Sequence, residues 1–278
     1  MDSKDMVADL HVHTYLSDGT FSPQQVLETA RKSGLSCIAI TDHDSIDGIG
    51  PTMELAASYN IEVIPGVELT AEANDDEIHI IGYFIDWKNE EFQAKLKLIC
   101  QARVDRIKEM IVKLAKFGIE IDAEEVFEFS GPGSVGRPHL AQVMYQKGYV
   151  RSTNEAFQKY IRNHGPCYVK KYTLSPKEAI EMIKSIGGIP ILAHPHLLKM
   201  DELISGFIED GLQGIEVYHS DHPDSATIQY EKLAKRHGLL ITGGSDCHGL
   251  GKGEVLMGKV KLPYKYVFEL KRAAGKEI

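Results

Sequence analysis

Six short apolar runs in this chain each lead into histidine or a carboxylate. "LHVH" carries His11 and His13, "IAITDHD" His43, "IPGVE" Glu68, "EIHI" His79, "ILAH" His194 and "LITGGSDCH" Asp246 and His248. Within "DLHVHTYLSDG", His11 and His13 are one residue apart on a predicted strand. Alternate strand positions share a side, so both imidazoles face one way, and Asp18 follows on the next loop. Buried imidazoles and carboxylates are costly unless something satisfies them. A single buried histidine is ordinary, but six repetitions demand a fold that brings strand ends together. In a barrel of parallel strands the carboxyl ends gather on one face, where catalytic groups sit.

The pattern between these runs fits such a fold. "SPQQVLETARKSG" predicts a helix with Ser22 at the N-cap, Pro23 at the first position and Gly34 as the stop. "GPTMELAASYN" is a second helix, and "IEVIPGVELTAE" and "EIHIIGYFID" are strands joined by a polar turn. This β-α-β-α alternation predicts an α/β chain with a largely parallel sheet or barrel. It breaks near Trp87, where "NEEFQAKLKLICQARVDRIKEMIVKLAKFG" turns helical, followed by helical stretches at "RPHLAQVMYQKG" and "NEAFQKYIRNHG". We read residues 88–172 as a helical insertion domain within a barrel formed by residues 1–87 and 173–278. The alternation resumes at "SPKEAIEMIKSIGG" and runs through "IPILAHPH", "GIEVYH" and "LLITGGSDCHG".

Composition narrows the function classes. A net charge of −9 argues against a broad duplex nucleic-acid-binding face. The four cysteines are scattered with no CxxC pair, which disfavours both a disulfide framework and a thiolate zinc site. No apolar run would span a bilayer, and the N-terminus leaves no room for a secretory core before the first strand, so a cytoplasmic location is expected.

The donor set is His11, His13, Asp18, His43, Glu68, His79, His194, Asp246 and His248. Histidine with carboxylate suits zinc, manganese or iron, and nine donors exceed the needs of one ion. Two or three ions sharing a bridging carboxylate would leave a net positive pocket that favours a phosphate group. Paired ions hold a hydroxide and clamp a phosphoryl oxygen, which is the chemistry of a phosphoesterase.

The segments "DLHVHTYLSDG", "ITDHD", "PGVELT", "IHIIGY", "LAHP" and "GSDCHG" resemble, in order, the signature of the PHP (polymerase and histidinol phosphatase) superfamily. The resemblance implies a distorted (β/α)7 barrel and a trinuclear site. His11, His13, Glu68 and Asp246 would hold one ion, and Glu68, bridging, would hold a second with His79 and His194. Asp18, His43 and His248 would hold the third. "GSVGRPHLA" and "GPCYVKKY" resemble the TrpH-type branch. That branch includes enzymes that remove the 3′-phosphate from nucleoside 3′,5′-bisphosphates and others that trim short RNA from the 5′ end. The expected activity is therefore hydrolysis of a phosphate monoester of a small nucleotide. The rivals are a histidinol-phosphate or other sugar-phosphate phosphatase, a 5′-3′ exonuclease on short RNA, and a non-catalytic PHP scaffold module.

Other residues carry finer expectations. Arg137 and His139 are candidates for a substrate phosphate, since Arg suits bidentate recognition; the alternative is an Arg facing solvent at a helix start and a capping His. Lys171, with Lys170 beside it, would reach an anionic substrate or simply be solvated. His196 would protonate the leaving oxygen if its strand continued past His194. His219 and His222 would touch substrate or be ordinary loop residues, and Cys247 should point away from the donors beside it.

Overall fold

The computed structural model describes residues 6–74, 76–131, 133–170 and 173–277. Two compact units divide the chain, one formed by Met1–Gln93 and Leu174–Ile278, the other by Ala94–Thr173.

The first unit contains strands β1 (Val7–Val12), β2 (Cys37–Ile40), β3 (Glu62–Ala73), β4 (Asp76–Tyr83), β5 (Ile189–Leu192), β6 (Gly214–His219), β7 (Leu240–Gly244) and β8 (Leu262–Pro263). They form one sheet in the order β7-β6-β5-β4-β3-β2-β1-β8. It comes nearly full circle as a barrel because β1 has a second edge to fill. β8 pairs antiparallel with the start of β1 at Val7 and Ala8. Beyond β7 the chain reaches the other end of β1, where Val12 bridges Cys247. There the His13 amide donates to the Cys247 carbonyl at 3.0 Å. Gly244 permits this approach, since a Cβ there would lie 2.3 Å from both the backbone nitrogen and the Cβ of His11.

The helices of this unit begin as the sequence dictates. Ser22 caps Pro23–Lys32 in a reciprocal capping box with Gln25, and Ser175 does the same for Pro176–Ser185 with Glu178. Gly34 takes φ +73° just past the first of these helices. The core beneath is aliphatic, with Leu10, Ile38, Ile40, Leu69, Ile80 and Ile191 essentially inaccessible.

Two elements differ from the sequence expectation. β4 runs antiparallel to both β3 and β5, so His79 lies toward the start of its strand. Reversal of the strand carries an early position to the rim that its neighbours reach late. Glu68 likewise does not end its strand, because β3 continues to Ala73 and pairs with β4 throughout. The polar turn between β3 and β4 makes them a hairpin, which needs no crossover helix.

The second unit is helical, with Ala123–Ser130, Arg137–Gln146 and Thr153–Ala156 following the long helix Glu90–Ala115. The "NEAFQKYIRNHG" stretch continues as a π-helical turn over Phe157–Ile161. Its core is apolar, formed by Ile107, Met110, Leu114, Val126, Leu140, Met144 and Ile161 among others.

Candidate metal centre

Glu68 is the hub of the polar cluster in the barrel. Its Oε2 lies 3.2 Å from His11 Nε2, 3.3 Å from His13 Nε2 and 3.3 Å from His43 Nδ1. Its Oε1 lies 3.0 Å from His79 Nδ1 and 3.2 Å from His194 Nε2. Five imidazoles therefore surround one carboxylate with a side chain only 1% exposed. Asp246 Oδ1 adds a second carboxylate, 3.1 Å from His13 Nε2 and 3.3 Å from His248 Nδ1. Asp18 Oδ2 adds a third, 3.2 Å from His248 Nε2 and 3.7 Å from His43 Nε2. All nine residues singled out in the sequence thus stand together in one cluster.

Local structure explains how each arrives. His11 and His13 leave β1 on one side, with ring centroids 5.1 Å apart. Asp42 holds the loop that carries Asp18, accepting from the Thr14 amide and the Ser17 hydroxyl, each at 2.6 Å. Asp9 ties β1 to the segment carrying Asp246 by accepting from the Ser245 amide at 2.8 Å. Its burial raises the carboxyl pKa to about 6. His194 and Asp246 have φ values of +28° and +53°. Left-handed backbone at two non-glycine donors is strain of the kind found at functional sites.

The electrostatics call for a cation. Burial opposes charge on His13, yet the carboxylates of Asp246, Glu68 and Asp18 raise it to about 9. Burial likewise opposes charge on His79, and Glu68 with Glu77 raises it to about 10. His43 goes the other way, held at about 4 by burial despite Glu68 and Asp18. Burial also opposes the charged form of Glu68, Asp18 and Asp246, yet the surrounding imidazoles hold each well below the usual carboxylate range. Even so, both ring nitrogens of His13, Nδ1 of His43 and Nδ1 of His194 are buried without a hydrogen-bond partner among the described residues. His13 Nε2 is near Asp246 but off line for a hydrogen bond. The orphaned nitrogens of His13 and His43 face carboxylate oxygens, an arrangement that fits divalent ions, which would take both donor types. Ligand atoms close enough to share an ion occur in the groups His13–Asp18–His43–His248, His11–His13–Asp246, His43–Glu68–His79 and His11–Glu216–His219.

A sequence profile of the PHP domain matches residues 9–166. The chain belongs to the PHP domain family. This PHP protein is 32% identical to the 3′,5′-nucleoside bisphosphate phosphatase of Chromobacterium violaceum, over 88% of each chain. It is 30% identical to the phosphoribosyl 1,2-cyclic phosphate 1,2-diphosphodiesterase of Eggerthella lenta, over 88% of this chain and 95% of that one. A candidate metal-dependent phosphoesterase from Bifidobacterium adolescentis superposes with a TM-score of 0.84 at 31% identity, covering 96% of both chains. The PHP protein is a metal-dependent phosphoesterase with an α/β barrel. No helix among its described residues is long and apolar enough to cross a membrane.

The finer sequence expectations fare unevenly. β5 ends at Leu192, so His196 lies on the short helix Pro195–Leu198, its ring 5.9 Å from that of His222. The turn begins at His194 because its left-handed backbone cannot continue an extended strand, which removes the premise for aligning His196 with His194. Arg137 Nη1 donates to Asn163 Oδ1 at 2.6 Å and the Ile161 carbonyl at 3.3 Å, with the guanidinium over the Phe157 ring. Arg137 does open its helix, as the alternative reading had it, but half-buried and engaged by these contacts. His139 Nδ1 accepts the Gly136 amide at 3.1 Å, a capping contact. Lys171 lies outside the described residues. Cys247 is buried, consistent with packing.

Sequence reasoning missed Glu216 and left His219 undecided. Glu216 sits in "GIEVYH", where alternation would make it just another inward strand residue. Its two oxygens lie 3.1 and 3.2 Å from His11 Nδ1. His219 is buried, with Nε2 3.6 Å from Asp246 Oδ2. For His219 the signal available was the one that found the others, a histidine closing an apolar run, whereas Glu216 lies in mid-strand and carried no such signal.

Proposed function

We propose that the protein removes the 3′-phosphate from nucleoside 3′,5′-bisphosphates with two or three divalent ions of manganese, zinc or iron. His11, His13, Glu68 and Asp246 would hold one ion; Glu68, His79 and His194 a second; Asp18, His43 and His248 a third. The observation that carries this reading is Glu68, one buried carboxylate with each oxygen facing a separate set of imidazoles, as a bridging ligand requires. The substrate class rests on the similarity to the Chromobacterium violaceum phosphatase over 88% of both chains. When bound, the ions would lower the pKa of a coordinated water and neutralise charge on the phosphoryl oxygens.

The chain's own residues supply the rest. His219 Nδ1 accepts the Asp221 amide at 3.1 Å, so the proton of the neutral ring lies on Nε2. That N–H is buried with no partner among the described residues. His219, in place of His196, is therefore assigned the hydrogen bond to the departing oxygen. Lys252 Nζ donates to Asp246 Oδ2 at 2.6 Å and supplies a positive charge at the half-exposed edge of the cluster. Arg137, His139 and Lys171 are assigned to recognition of the substrate's anionic groups; the hydrogen bonds of Arg137 to described residues run through Nη1, and the rest of the fork is assigned to a phosphate.

The test is turnover by the manganese-loaded protein of 3′-phosphoadenosine 5′-phosphate, histidinol phosphate, a 1,2-cyclic ribose phosphate and a short 5′-phosphorylated oligonucleotide. The highest kcat/KM is expected for the bisphosphate, with release of the 3′-phosphate. A preference for any other member overturns the assignment of substrate class.

A further inference from the structure

The structure assigns to Glu216 the role of positioning residue for the metal centre, aligning His11 and His194 as donors without itself binding an ion. The inference rests on the metal-dependent reading of the site and goes beyond its nine donors.

Glu216 is completely buried, where an unpaired carboxylate would be costly. Both its oxygens are already engaged from within the protein. Oε1 and Oε2 lie 3.1 and 3.2 Å from His11 Nδ1, and Oε2 also accepts the backbone N–H of His194 at 2.9 Å. An acceptor-only group at Nδ1 requires the proton to sit there, so the Nε2 lone pair of neutral His11 points away from Glu216. Nε2 faces Glu68 Oε2 at 3.2 Å and Asp246 Oδ1 at 3.5 Å. This is the arrangement in which a carboxylate fixes the tautomer and orientation of a metal-binding imidazole.

The second contact acts on backbone. His194 sits at φ +28°, a costly conformation for a residue with a Cβ. A charge-assisted bond from its N–H to Glu216 offsets that cost and directs the ring toward Glu68 and His79.

Strand β6 is shaped for this task. In a regular strand Glu216 and His219, three positions apart, would face opposite sides. The pairing of β6 with β7 shifts register between Glu216 and Tyr218. With that irregularity Glu216 and His219 are both buried at the cluster, while Tyr218 is half-buried and hydrogen-bonds Glu231 and Tyr266.

The test compares wild type with Glu216→Gln by competition for manganese and zinc against a chromogenic chelator, alongside thermal unfolding of both metal-free proteins. Gln keeps the volume but offers one acceptor oxygen where two donors need to be met. Binding is expected to weaken by about 10- to 100-fold. The metal-free unfolding midpoint should fall only modestly, by less than the loss of affinity would require, and activity should recover at high metal concentration. Unchanged affinity overturns the assignment, as does weakened affinity fully accounted for by loss of metal-free stability. Should Glu216→Gln fail to fold, the same titration on Glu216→Asp decides, because Asp keeps the charge and withdraws the oxygens from His11: weaker binding supports the role and unchanged binding overturns it. Wild-type protein that takes up no divalent ion refutes the metal-centre reading itself, a result distinct from either variant outcome.

Discussion

The two units of this chain organise their interiors in opposite ways. The helical unit packs Ile107, Met110, Leu114, Leu140 and Met144 into an apolar core. The barrel unit has an aliphatic core too, but above it lie five imidazoles around Glu68, with Asp18, Asp246 and Glu216 close by. The helices satisfy their backbone internally and need only a hydrophobic stripe to pack. The barrel rim, where strands end and turns begin, tolerates left-handed donors such as His194 and Asp246. A rigid sheet thus supports a polar cluster that could not be stable alone, and the cluster's unmet demand for a cation is the basis of the chemistry.

The contrast is tested most strongly at Glu68. Glu68→Gln should reduce kcat by about a thousandfold or more, the equivalent of ~4 kcal/mol of transition-state stabilisation. Metal content measured on the same preparation should fall by at least one ion. Full activity with full loading would show that the hub of the barrel cluster is no more functional than the helical core.

The second contrast is steric. Gly244→Ala places a Cβ against His11 and should destabilise the barrel by about 3 kcal/mol or more, read by denaturant unfolding. Gly148 in the helical unit has φ +75° with nothing within 4 Å of an added Cβ. Gly148→Ala should cost only the conformational strain, ~1–2 kcal/mol.

Removing metal should make stability depend on alkaline pH. His13 and His79, raised to about 9 and about 10, contribute stability to the metal-free protein that is fully present below 6.5. That contribution is lost as pH rises through their folded values. Thermal midpoints of chelator-treated protein should therefore fall between pH 6.5 and 10, while the loaded protein changes less because ions occupy the nitrogens in place of protons. Parallel curves for the two forms would place the metal elsewhere.

Arg137 offers the mildest test. Arg137→Ala removes its bonds to Asn163 and the Ile161 carbonyl and should lower stability by about 1–2 kcal/mol. If it also recognises substrate, KM for the bisphosphate should rise roughly tenfold, or 1.4 kcal/mol, with kcat little changed. A change in stability alone would assign Arg137 wholly to the helical unit's scaffold.

What the sequence determined by itself was the inventory. The spacing of His11 and His13, and the recurrence of His, Asp or Glu at the ends of apolar runs, needed only the periodicity of a strand. The capped helices at Ser22 and Ser175 were legible for the same reason, since each signal is local. Tertiary structure alone decided the antiparallel course of β4, which brings His79 to the common rim from the opposite direction. It also decided the turn that removes His196 from the line of His194, and the engagement of Arg137 by Asn163. Above all it distinguished Glu216 from the other buried strand residues. Its meaning lies in two nitrogens that are 205 and 22 positions away in sequence, and no local pattern records such contacts.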